Sequence, residues 1–421
     1  MGGKENESPS GKGRGIKMSE LAGNREKKIK LFLYIVVAGV AMLPVAYGHI
    51  MDRGILGEWI GRICELSMEL QGGHFLLFPS EEVIVENGGQ LYAMNSNLWF
   101  FIPALIYAWS ENIVLGWQIY MIFIQVGTLL TSILMFHRLF EGENRAFAGF
   151  FGVLLYMTCP YRIYVCYDLA SMSQALVWVL LPLYVWAAAG IAEQKDKLKN
   201  IGVAALALAG IGYADIMQML IVIGITVLAV IWLRRVLLFV PLAAGCLIAC
   251  PAVLRLARYL FGNAFEMLGM PLQSIMGNGY VTGEFFSIFV YRDGHPGMGI
   301  GVMSALLIGL WLSFVQGQWE QSRKNIFFTA FAILLLICSL KIFPWELVQR
   351  LGGWALKMIA LIDTPAVFFG LAQLCLCIPG AYAVGQISRQ KEKAVAIGLP
   401  LMVLVASLVL CIYQCNMLRI S

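Results

Sequence analysis

Hydrophobic residues fall along this chain in long stretches without the two-residue alternation of a half-buried strand. Stretches long enough to cross a bilayer, or nearly so, begin at Leu31, Trp117, Ala146, Met172, Ile201, Met217, Val236, Gly297, Ile326, Pro365 and Val395. Hydrocarbon offers backbone N–H and C=O groups no partners, so a spanning segment must be a helix or part of a closed barrel. Unalternating runs select the helix. Asn97 to Trp109 is also apolar, but it is short and carries Pro103 in its middle, which reads as a helix lying in the membrane interface. The pattern therefore predicts an all-α integral membrane protein of about 11 transmembrane helices, with interfacial helices in its first large outer loop.

Composition agrees: 60% of residues are hydrophobic, 13% are charged and the mean hydropathy is +0.77. Soluble domains carry about a quarter charged residues, so lipid is the implied solvent. A net charge of +5 could suggest a nucleic-acid partner, but the distribution of charge argues for a membrane one. If Leu31 to Gly48 leads outward and Asn97 to Trp109 stays outside, Arg138, Arg145, Lys195, Lys197, Lys199, Arg234, Arg235, Arg323, Lys324, Arg389, Lys391 and Lys393 all fall inside with the N-terminal basic residues. That satisfies the excess of Lys and Arg on cytoplasmic loops. It predicts a cell-membrane protein with a cytoplasmic N-terminus and an extracytoplasmic C-terminus.

Residues 1–30, rich in Gly, Ser, Lys and Glu, read as a disordered basic cytoplasmic tail, and residues 31–421 as the polytopic domain. The tail is no cleavable signal, since the first apolar run is of span length and leads into Met51, Asp52 and Arg53. The two largest outer loops, 49–116 and 254–296, are long enough to carry function. The ten cysteines, Cys246, Cys250, Cys375, Cys377 and Cys411 among them, sit mostly in apolar runs and read as small packing residues. No inverted duplication of the kind many transporters show is visible.

The candidate chemistry lies on the outer side, which holds 15 of the 25 acidic residues. Asp52, Glu58, Glu65, Glu69, Glu81, Glu82 and Glu86 are either solvated loop charges or include a carboxylate that deprotonates a hydroxyl or binds a divalent cation. Asp52 is the best-placed catalytic candidate, because it follows the first span within a few residues. Arg62 and Glu65 belong to an amphipathic helix marked by Ile63, Leu66 and Leu70, and read as an exposed pair on it. Cys159-Pro160-Tyr161-Arg162, followed by Asp168 and Gln174, puts an arginine and tyrosines at an outer membrane edge, to hold a phosphate or simply to anchor in the headgroup layer. Asp215, between two apolar stretches with almost no loop, is either a functional carboxylate or the cap of the next helix. Phe343-Pro344-Trp345-Glu346 and Asp363-Thr364-Pro365 are two further outer motifs, the second explained by capping. There is no phosphate-binding loop, zinc-type His pair or Ser/His/Asp signature.

From about His49 to Val384 the chain resembles bacterial membrane proteins of the glycosyltransferase C-like superfamily, in the group labelled YfhO-like or 6-pyruvoyl-tetrahydropterin-synthase-related. The residues that carry the resemblance are Arg62-Ile63 with Leu66 and Gly72-Gly73; Gly88-Gly89-Gln90-Leu91-Tyr92 with Ile102-Pro103-Ala104-Leu105; Pro160-Tyr161-Arg162 with Pro182-Leu183; and Phe343-Pro344-Trp345-Glu346. The resemblance implies a helical bundle that transfers a sugar from a polyprenyl-phosphate carrier to an extracytoplasmic envelope acceptor. Asp52 would be the base, helped by a divalent cation, and Arg62, Tyr161, Arg162, Asp168 and Asp215 would bind substrate. The chain departs from the family pattern at Trp59, where the family has a histidine, at Ala214-Asp215, where it has a His-Asn pair, and at Gln174, where it has a glutamate. It also ends at Ser421, short of many relatives. A divergent transferase, a non-catalytic accessory subunit of envelope biogenesis and a lipid or solute transporter are the three functions left open.

Overall fold

The computed structural model describes residues 31–46, 56–78, 95–140, 145–261, 279–287, 296–314, 323–345, 350–360, 365–390 and 392–420, with 28 and 347. The disordered reading of the tail, and Asp52 itself, lie outside them. In chain order the helices are α1 Leu31–Ala46, α2 Leu56–Gln71, α3 Asn97–Ser110, α4 Ile113–Leu139, α5 Arg145–Met157, α6 Pro160–Asp168 and α7 Met172–Ala192. They continue as α8 Lys197–Ala214, α9 Ile216–Leu233, α10 Val236–Ile248, α11 Cys250–Phe261, α12 Thr282–Phe285, α13 Gly299–Phe314, α14 Arg323–Ser339, α15 Gly353–Ala360, α16 Ala366–Ile387 and α17 Lys393–Ile420.

Local chemistry starts and stops these helices where the sequence carries capping residues. The side chains of Ser96, Asn112, Ser171 and Asp215 accept from backbone N–H groups in the first turns of α3, α4, α7 and α9. Glu111 and Arg234, both in the left-handed region, end α3 and α9. Pro160 brings no N–H and so sits comfortably at the start of α6, which turns 43° away from α5. The sharper break, 74°, separates α10 from Cys250–Arg258 of α11.

Helices occupy all eleven apolar stretches. Five of them, α4, α7, α9, α16 and α17, are long and apolar enough to cross a membrane, or up to seven if each bent pair is one span. Of the rest, α1, α13 and α14 are apolar but shorter, and α8 opens on Lys197 and Lys199. Among the described residues there is no strand, only an isolated bridge between Tyr280 and Leu340.

The outward faces of the helices are apolar, unlike those of a water-soluble bundle. On α4 the buried positions include Gln125, Thr128 and Ser132, while Ile119, Phe123, Val126, Leu130 and Leu134 are exposed. On α17, Ser407 and Gln414 are buried, and Ile397, Leu401, Val405 and Val409 form an exposed stripe at a spacing of four. Outward leucine, isoleucine and valine would drive aggregation in water, whereas lipid is their natural solvent. At the centre runs α16, with 89% of its most apolar 18 residues buried, against 28% for the corresponding stretch of the peripheral α17.

Two ends of the bundle are distinct. At one, Arg138 at the end of α4, Glu193 and Lys195 after α7, and Lys324 at the start of α14 meet, with Tyr34 and Arg145 both joined to His137 nearby. These are residues that the charge pattern assigned to one side. At the other end, α2 and α3 pack on each other and on the ends of α7 and α8.

Candidate functional site

The end carrying α2 and α3 is built around Arg62. Leu56, Trp59, Ile63 and Leu66 bury one face of α2, as the amphipathic spacing requires. Arg62 falls on that same face and is 1% exposed, so the expectation of an exposed Arg62–Glu65 pair is corrected for the arginine. Its Nε donates to Asn97 Oδ1 at 2.7 Å, its Nη2 donates to the Asn95 carbonyl, and its guanidinium lies 5.1 Å from the Phe100 ring centroid and 5.7 Å from that of Trp59. The fixed fork of the guanidinium can serve two acceptors of one loop at once, which a lysine could not.

The loop that Arg62 grips is tied in every direction. Asn97 donates through Nδ2 to the Leu76 carbonyl and through its backbone N–H to Leu77, Ser96 N–H donates to the Tyr213 carbonyl, and Asn95 Nδ2 reaches Ser173 Oγ. Trp99 Nε1 donates to the Gly210 carbonyl. Segment 76–78, α2, α3 and the adjoining ends of α7 and α8 thus form one unit. Arg255 on α11 joins it, 5.0 Å above the ring of Phe78, which also packs on Tyr213.

Asp215 sits two residues beyond Tyr213 at the edge of this unit. Its Oδ1 accepts from the N–H groups of Met217 and Gln218 at 3.0 and 3.1 Å, and its Oδ2 from Gln218 Nε2 at 3.3 Å. Of the two roles left open for Asp215, the geometry displays the cap. Gln174 is buried in the first turn of α7, and its Oε1 accepts no hydrogen bond from a described residue. Asp168 is half-buried at the end of a π-type turn, Tyr164–Asp168, that closes α6.

Tyr161 and Arg162 belong to a different place. The bend before Pro160 turns both inward. Tyr161 packs its ring against Tyr164, Trp178 and Phe369, and its N–H donates to Gln373 Oε1, which Cys159 Sγ also approaches at 2.6 Å. Arg162 is fully enclosed, at 0% exposure. Its Nη1 donates to the Met157 carbonyl at 2.7 Å, its Nη2 donates to Gln125 Oε1, and its Nε has no hydrogen-bond partner among the described residues. Gln125 Nε2 in turn donates to the Tyr167 hydroxyl, which donates to the Ala41 carbonyl, at 2.7 and 2.8 Å.

Gln125 lies twelve residues into α4, about 18 Å from its Ile113 end at 1.5 Å per residue. The arginine expected at an outer edge is therefore deep between α1, α4, α5 and α6. Among the described residues its hydrogen-bond partners are the dipoles of an amide and a carbonyl. Such a group is costly at membrane depth and marks either a structural lock or a functional element.

The structure thus gathers Arg62, Asp215 and Gln174 at one end and sets Tyr161 and Arg162 apart from them. Sequence reasoning missed Gln125, Gln373, Tyr167, Asn95 and Asn97. A single amide within an apolar run, as in Ile124-Gln125-Val126, is the signal that could have found the first two. Among the described residues no three of His, Cys, Asp and Glu form a group that could hold a metal ion. No model of a known protein family matches the chain, and no curated protein sequence matches it significantly.

Proposed function

We propose that this chain is an eleven-span cell-membrane protein built on the glycosyltransferase C-like plan, which transfers a sugar from a polyprenyl-phosphate carrier to an envelope acceptor on the extracytoplasmic side. The supporting observation is the unit at one end of the bundle, where an amphipathic helix, α2, and the short apolar α3 are clamped through Arg62 over the ends of α7 and α8. A reaction on a lipid-borne headgroup needs a rigid platform at the interface, where binding groups meet the carrier without entering hydrocarbon. Asp52 precedes α2 by four residues in sequence and is assigned as general base, or as ligand of a divalent cation. Arg62 acts by holding that platform, Asp215 by capping α9 at its edge, and the enclosed Arg162 and Tyr161 act from within the bundle instead of touching phosphate.

The test is transfer of labelled sugar from a polyprenyl-phosphate donor by membranes containing the chain or its Asp52→Asn variant. Loss of transfer in the variant, with normal membrane insertion, is expected; undiminished transfer removes the proposed role. An accessory, non-catalytic role is the second reading, favoured because Arg62, Asp215 and Arg162 are all engaged in internal contacts. It predicts that the purified chain transfers nothing from any such donor, whereas its deletion lowers transfer by another enzyme of the same membrane.

A further inference from the structure

The opposite end of the bundle carries a surface that this activity does not use. Glu193 accepts from Lys324 Nζ at 3.0 Å and lies 3.3 Å from Lys195 Nζ and 3.8 Å from Arg138 Nε, so three cations share one carboxylate. Arg138 is fixed further by Asn200 Oδ1 at 3.3 Å and by the Trp186 ring, whose centroid is 4.9 Å from its guanidinium. The other described carboxylate of this turn, Asp196, is exposed between Lys195 and Lys197.

Next to this cluster is the turn from α9 to α10. Trp232 packs on Phe327 at 6.3 Å between centroids, one helical turn after Lys324, which brings Arg234 and Arg235 to the same edge. Both arginines are exposed, and neither makes a side-chain hydrogen bond or ion pair with a described residue. Around them Ile231, Trp232 and Val236 are exposed as well, at 69%, 49% and 72%. A cationic edge bordered by outward apolar side chains matches a molecule with an anionic head and hydrocarbon tails.

We propose that Arg234 and Arg235, with Lys324, Lys195 and Arg138 behind them, form a docking surface for the phosphate head of an anionic phospholipid, with its acyl chains along Ile231, Trp232 and Val236. Arg234 and Arg235 add two positive charges beside the Glu193 cluster, and no described carboxylate pairs with either. Each basic residue near an anionic lipid surface is worth about fivefold in affinity, so removing two costs about 25-fold.

The experiment is native mass spectrometry of the full chain in detergent, titrated with phosphatidylglycerol, with phosphatidylcholine of the same acyl chains, and with inorganic phosphate. Retention of phosphatidylglycerol at least tenfold above phosphatidylcholine is expected, with Arg234→Gln/Arg235→Gln weakening it about 25-fold and each single variant about fivefold. Equal retention of the two lipids, or an unaltered titration for the variants, overturns the proposal. So does competition by inorganic phosphate at equal concentration, which would indicate a soluble-anion site. The single variants keep the test decisive if the double variant unfolds.

Discussion

Arg62→Met tests whether the platform hangs on one side chain. Methionine keeps the aliphatic length against Trp59 and Phe100 but removes both donors. Asn97 Oδ1 and the Asn95 carbonyl, on residues that are themselves buried, then lose the hydrogen bonds Arg62 supplies. A buried acceptor left unsatisfied costs about 1–3 kcal/mol, and the lost cation–π contacts add about 1 kcal/mol. Relief from burying a guanidinium offsets part of this. A net local loss of about 3 kcal/mol corresponds to roughly a hundredfold faster amide exchange through local opening. Hydrogen exchange of the detergent-solubilised chain should therefore show peptides from α2 and from 95–100 accelerating by about two orders of magnitude. The core helix α16 should keep its protection. Arg62→Lys should fall between the two, and a double-mutant cycle with Asn97→Ala should show coupling. Unchanged exchange in α2, or equal acceleration in α2 and α16, would refute the reasoning.

The remaining tests are simpler. Asp215→Ala should lower stability by about 1 kcal/mol in thermal unfolding, whereas Asp215→Asn, whose amide oxygen can accept from the same N–H groups, should stay close to the parent; an equal loss in both would point to a need for the charge. Gly245→Ala would set a Cβ 2.9 Å from Leu208 Cδ2 and 3.1 Å from the Ala205 carbonyl oxygen, forcing α8 and α10 apart at a cost of about 1–3 kcal/mol, while Gly224→Ala, with nothing within 4 Å, should be tolerated. For Glu193, partial burial disfavours ionisation, but hydrogen bonds and charge from Lys324 and then Lys195 outweigh it, and the carboxyl titrates below its ordinary value. A lowered folded-state pKa contributes stability above the unfolded carboxylate range and loses it as pH falls through the folded value. The stability gap between the parent and Glu193→Gln should therefore be constant at neutral pH and close on acidification below the usual carboxylate range; a gap that widens on acidification would reverse the assignment.

Much of the architecture was legible from hydropathy alone, because lipid forces each spanning backbone to satisfy itself locally, and local satisfaction is readable residue by residue. All eleven apolar stretches are helical, Asn97 to Ser110 is a short separate helix, and Arg138, Lys195 and Lys324 do share one end. Capping of α9 by Asp215, one of the two roles its sequence left open, was equally local. What only the tertiary structure decided is where polar side chains point when either choice is locally neutral. Arg62 stands on a helix whose spacing fits an exposed or a buried arginine, and the acceptors that draw it inward are more than thirty residues away. Arg162 follows a proline bend whose direction no local rule supplies, and its partner Gln125 is 37 residues earlier. Long-range acceptors, invisible to a pattern that reads one turn at a time, turned two expected surface arginines into internal ones.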